Sequence, residues 1–166
     1  RQLLAEKYDF EPYTAFKRIA LGPNSYLTST YLREFLLDNK IIISSLDARD
    51  LLKALDLNKD GISPTASNNR INQYESYHRF LNAVLPKTEP GLRQRVTLRQ
   101  AYTLEEGERL PYDVEHALAR VLEEELKSFQ RTESLRRILD QSYDYTSGGV
   151  FRALDFDDKN FIIPEE

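Results

Sequence analysis

DLNKDGISPTASNNRINQYE, residues 56–75, decides the reading of this 166-residue chain. The opening DLNKDG sets Asp56, Asn58 and Asp60 at alternate positions and follows them with Gly61. An EF-hand calcium loop begins in this way, because Ca²⁺ draws oxygen ligands from loop positions 1, 3, 5, 7, 9 and 12, with a glycine at 6 for the sharp turn. Read straight on, the register fails: Ser63 falls at the apolar position 8 and Ser67 where a bidentate glutamate belongs. Skipping ISPTASNN, residues 62–69, restores it. Arg70 then offers its carbonyl at position 7, Ile71 is the apolar position 8, Asn72 takes position 9 and Glu75 closes the loop at 12. The expected Ca²⁺ ligands are therefore Asp56, Asn58, Asp60, Arg70, Asn72 and Glu75. A polar insert of this kind reads as a surface bulge, and lengthening a loop from twelve to twenty residues costs about 0.5 kcal/mol in closure entropy. The competing reading is a hand that folds without calcium.

The flanking patterns predict helices. Tyr13 to Ile19 puts Phe16 and Ile19 on one face, and Leu32 to Leu37 forms a partner helix after a second loop-like stretch. In that stretch, ligand positions 1, 3, 5 and 12 hold Ala20, Gly22, Asn24 and Tyr31, which lack the charge Ca²⁺ needs. The first hand is expected to be empty, pairing with the second through Leu27 and Ile71 at position 8 of each loop. Ser44 with Asp47 reads as a capping box ahead of Leu51, Leu52 and Leu55. Tyr77, Phe80, Leu81, Val84 and Leu85 continue at helical spacing until Pro86.

The expected fold class is all-α. Residues 1–86 form an EF-hand pair, 87–110 a linker opened by PKTEPG, 111–131 a long helix, and 132–166 the start of a second similar unit. Val114, Leu118, Val121, Leu122, Leu126 and Phe129 line one stripe of the long helix. That stripe either docks on a partner or on the neighbouring repeat, or packs on its own EF-hand pair. Glu123, Glu124 and Glu125 fan out around the helix and read as a solvated face. Arg93, Arg95 and Arg99 could grip an acidic partner, but a solvated face is the plainer reading.

The second unit comes from a repeat. A shift of 135 residues aligns RQLLAEKYDF with RRILDQSYDY, and Arg1, Leu4, Tyr8, Asp9 and Phe16 with Arg136, Leu139, Tyr143, Asp144 and Phe151. Asp155 and Asp157 then take loop positions 1 and 3 and Glu166 takes 12, with Lys159 and Asn160 departing from the pattern.

Composition narrows the function. The net charge of −4 argues against nucleic acid or an anionic membrane surface as partner, and the absence of cysteine removes disulfides, thiolate metal sites and cysteine nucleophiles. No membrane span, signal or lipidation motif is present, which fits a cytoplasmic protein. The chain opens at Arg1 and holds no methionine, so a piece of a longer protein is expected. No phosphate loop, nucleophile elbow or HExxH occurs, and the two histidines, His78 and His116, lie in separate elements. An enzyme with a small-molecule substrate is not expected.

The split DLNKDG...RINQYE loop, the YDFEPYTAFKRI entry, the FLNAVLP exit and the LPYDVEHALARVLEEEL helix together carry a resemblance. The chain resembles the repeated EF-hand calcium-binding proteins of ciliates and other protists, including axonemal, doublet-microtubule EF-hand proteins. That resemblance implies a structural or calcium-responsive role in a cilium or axoneme, with tubulin or other axonemal proteins as partners. Two classes of function follow: a structural interaction module of a cytoskeletal assembly, or a calcium sensor or buffer with calcium-dependent partner binding.

Overall fold

The computed structural model describes residues 1–20, 26–55, 73–105, 107–155, 159 and 161, with 73–75 described by their backbone alone. The chain divides into two compact units, Arg1–Phe129 and Gln130–Glu166. Among the described residues all regular structure is helical: α1 (Gln2–Ala5), α2 (Pro12–Ile19), α3 (Ser29–Asp38), α4 (Ser45–Leu55), α5 (Gln73–Val84), α6 (Pro90–Thr97), α7 (Tyr112–Asp140) and α8 (Ser147–Leu154). The protein is all-α, as the 3.6-residue apolar spacing requires.

Local chemistry sets the helix ends in unit 1. Glu11 caps α2 by accepting the Tyr13 and Thr14 amides at 2.9 and 2.6 Å, and Pro12 supplies the fixed φ of the first turn. Thr28 caps α3 by accepting the Tyr31 amide. At α4 the predicted capping box forms in both directions: the Ser44 amide donates to Asp47 at 3.0 Å, and the Asp47 amide donates to Ser44 Oγ at 3.1 Å. The end of α3 is a Schellman turn, in which Ile41 N–H reaches Leu36 O and Lys40 N–H reaches Leu37 O, both at 2.9 Å. Lys40 occupies the left-handed position there, at φ 62°.

Four helices, α2 to α5, close on one another: α2 packs against α3 and α5, and α4 packs against α3 and α5. Phe10, Phe16, Phe35 and Phe80 fill the centre as fully buried rings. Phe16 lies 5.3 Å from the Tyr77 ring and 5.7 Å from the Phe80 ring, distances at which aromatic pairs attract beyond their burial. The stripe of the long helix joins this same core through Val114, Leu118, Leu122 and Leu126. Of the two sequence readings of that stripe, packing on its own helix pair is the one observed.

Two boundaries differ from expectation. The predicted linker contains α6, which starts on Pro90, buries Val96 and packs against α1. Its inward residues are Val96 and, one turn earlier, the partly buried Leu92, a stripe too short to separate from a turn-rich linker. The long helix also runs on to Asp140, nine residues past its predicted end, because no glycine or proline interrupts it.

Unit 2 contains residues 130–140 of α7, a turn and α8. Its backbone repeats the start of unit 1 bond for bond at the predicted shift of 135 residues. Pro12–Ile19 corresponds to Ser147–Leu154, cap Glu11 to cap Thr146, and Ala20 at φ −81°, ψ 70° to Asp155 at φ −81°, ψ 71°. The turn bonds from Glu6, Lys7 and Phe10 recur from Gln141, Ser142 and Tyr145.

Candidate functional site

The predicted calcium ligands Asp56, Asn58, Asp60, Arg70 and Asn72 lie outside the described residues, as do insert 62–69, Ile71 and, in the first loop, Gly22 and Asn24. Glu75 falls in the first turn of α5, with only its backbone described. Around these gaps the frame is defined. Helices α4 and α5 flank the split loop, α2 and α3 flank the first, and the buried Leu27 donates its amide to Ser76 Oγ on α5 at 3.0 Å. That bond ties the segment ahead of α3 to α5. Among the described residues no group of three or more His, Cys, Asp or Glu could hold a metal ion.

The three consecutive glutamates of α7 do not converge. Glu123 pairs with Arg120 and Lys127, Glu124 with Lys127, and Glu125 with Arg1 of α1. His116 stacks on Tyr112 with the rings 4° from parallel, while His78 is exposed on α5. Of the arginines read as a solvated face, Arg99 departs from expectation: its guanidinium donates to the carbonyls of Ala5, Lys7 and Phe10 and ties the segment after α6 to the N-terminal turn. Arg93 donates to Asn82, and Arg95 is exposed.

Among the buried charged residues, Glu115 joins the most elements. Glu115 of α7 accepts from Arg18 of α2 at 2.9 Å and from the Leu110 amide at 2.9 Å, with Asn39 at 3.4 Å. Arg18 also reaches Asp38 of α3 at 2.9 Å. Burial alone would lower the pKa of Arg18, but its hydrogen bonds to Asp38 and Glu115 outweigh this and raise it. Three helices thus meet on one carboxylate. Beside them, Tyr13, Lys17, Tyr102, Glu108 and Arg109 line a cleft of about 680 Å³, a size that suits a small ligand. Its lining carries charges of both signs, and Asp38 lies 2.9 Å from Arg18 and 3.8 Å from Arg109 there.

The repeat supplies a different kind of surface. Leu4, Phe16 and Ile19 are 1%, 0% and 1% exposed in unit 1, whereas their counterparts Leu139, Phe151 and Leu154 are 48%, 37% and 46% exposed. Val150 is exposed beside them where unit 1 buries Ala15. The same backbone therefore presents in unit 2 the apolar side chains that unit 1 uses to build a core.

No protein-family model, no curated protein and no solved structure matches this chain. Among the described residues no helix is long and apolar enough to cross a membrane.

Proposed function

We propose that this chain is a structural interaction module, an EF-hand-like helix pair held closed by its own long helix and built into a larger helical assembly. The observation that carries this reading is the α7 stripe, buried in one core with α2 to α5 and pinned there by Glu115 on Arg18. A calcium sensor acts by opening its helices and exposing apolar surface. Here, opening would withdraw Val114, Leu118 and Leu122 from the core, at roughly 1.5–3 kcal/mol for each side chain. It would also strand a buried carboxylate. A ligand shifts such an equilibrium only by its differential contacts with the two states. Calcium taken up through Asp56, Asn58, Asp60, Arg70, Asn72 and Glu75 is secondary in this reading.

The assembly suggested by the sequence resemblance is a cilium or axoneme, with tubulin or its associated proteins as partners. The test is co-sedimentation of the chain with axonemal microtubules, with and without calcium, alongside an apolar dye that reports surface exposure. The expected result is binding that calcium does not change and no calcium-dependent dye signal. Binding and dye uptake that both require calcium would replace the module with a sensor.

A further inference from the structure

Where α3 ends and α7 begins, unit 1 leaves a groove of about 540 Å³. Asn39, Lys40 and Ile41 line it from the turn after α3, Leu110, Tyr112 and His116 from the start of α7, and Arg109 and Arg120 complete it. The two sides are held together, because Arg18 bonds Asp38 of α3 and Glu115 of α7 at 2.9 Å each. We propose that this groove receives an acidic peptide segment of a partner protein, with carboxylates on Lys40 and Arg109 and an aromatic side chain against the Tyr112–His116 stack. The inference names a partner chemistry for the interaction module proposed above and rests on that reading.

Charge selects the peptide. Both carboxylates that line the groove, Asp38 and Glu115, are engaged by Arg18, and Arg109 stands off from them at 3.8 and 4.0 Å. Arg120 is paired with Glu123, and among the described residues nothing pairs with the Lys40 ammonium. Lys40 and Arg109 therefore offer positive charge to a ligand, on a chain whose net charge is −4. The backbone adds an independent observation. Lys40 stands at φ 62°, the position of a Schellman turn that glycine fills without a Cβ clash, and side chains kept in such costly conformations gather at ligand sites. The length of the occupant follows from what lies at the rim. A small acid would stop inside the groove, whereas Tyr112 and Ile42, the residue after Ile41, are each 84% exposed and are covered by a peptide that runs on past it.

The test is an NMR titration of the 166-residue chain with an end-blocked peptide of sequence EEFEE, with KKFKK and inorganic phosphate as controls. EEFEE is expected to shift the amides of residues 39–41 and 110–116 saturably, more weakly as salt is added, while KKFKK and phosphate leave them in place. Lys40→Gly and Arg109→Gln are each expected to weaken EEFEE binding by about 10-fold. Because glycine suits the backbone at position 40, loss of binding in Lys40→Gly is not loss of fold. No shift of these amides, equal binding of EEFEE and KKFKK, or undiminished affinity in both variants would overturn the proposal. Phosphate moving the same amides with equal affinity would overturn it in favour of a free anion. The titration involves no microtubule, so its failure removes this groove as a peptide site and leaves the module to be judged by co-sedimentation.

Discussion

Arg18 and Glu115 meet at 2.9 Å with 10% and 4% of their side chains exposed, so an ion pair closes the join between α2 and α7 almost out of reach of water. Removing one partner leaves the other buried and uncompensated, whereas removing both does not. Arg18→Met is expected to lower unfolding free energy by about 3 kcal/mol, and Arg18→Met with Glu115→Gln to recover at least half of that loss. Urea denaturation of the two variants decides it. Equal losses would mean that Glu115 is satisfied without Arg18.

The repeat should be energetically lopsided. Phe16→Ala empties a fully buried site packed against Tyr77 and Phe80 and should cost about 3–5 kcal/mol. Phe151→Ala, at the same place in the second copy, should cost less than about 0.5 kcal/mol, as surface changes do. Thermal melts of both variants test this, and comparable losses would show that the α8 face is already covered.

Lys40 holds a left-handed conformation that suits glycine better, and its side chain is exposed. Lys40→Gly should stabilise unit 1 by about 1 kcal/mol by relieving the Cβ clash at the end of α3. Ser44→Ala at the opposite end of the same connection should destabilise by about 1 kcal/mol through loss of the α4 cap. A rise in denaturation midpoint for the first and a fall for the second are the expected pair of results.

The Tyr77 hydroxyl ionises late. Burial, helped by the negative charge of Glu11 and by Tyr13, pushes its pKa up to about 12. Because the folded value exceeds the unfolded one, the unfolded chain gives up this proton first as pH rises. The stability it contributes is complete below about pH 10 and is lost between about pH 10 and 12. Phenolate absorbance during alkaline titration should show a late step that Tyr77→Phe removes. Tyr77→Phe should also flatten the fall in stability across that window.

For calcium, Asp56→Ala with Glu75→Gln removes a monodentate and a bidentate carboxylate from the expected coordination shell. Calorimetric titration should show the loss of any calcium uptake by the chain. Uptake that persists at unchanged affinity would assign the ligands elsewhere.

What the sequence made legible is what repeats at short range. The spacing of Phe16 and Ile19, or of Tyr77, Phe80 and Val84, names the buried face of a helix, and the pairing of Ser44 with Asp47 named a cap that forms as read. The shift of 135 residues is equally visible and is matched turn for turn. Long-range chemistry was not visible. Arg18 and Glu115 are separated by 97 residues, and nothing local distinguishes Glu115 from Glu123, Glu124 and Glu125 further along α7. The same holds for Arg99, whose place among solvated arginines was overturned by three backbone carbonyls from the other end of unit 1. Helix α6 escaped notice because its inward face is only two residues long, Leu92 and Val96. Of the predicted calcium ligands, the frame of helices α4 and α5 is described, while five of the six residues lie outside the description.

The glycines at the start of α8 set how readily that helix opens. Where α2 begins Pro12-Tyr13-Thr14, α8 begins Ser147-Gly148-Gly149, and an eight-residue helix with two glycines in its first turn is poorly stable by itself in water. A protease that needs an open helix is therefore expected to cut at α8 before it reaches the core of unit 1, where Pro12 and the Glu11 cap hold the first turn of α2.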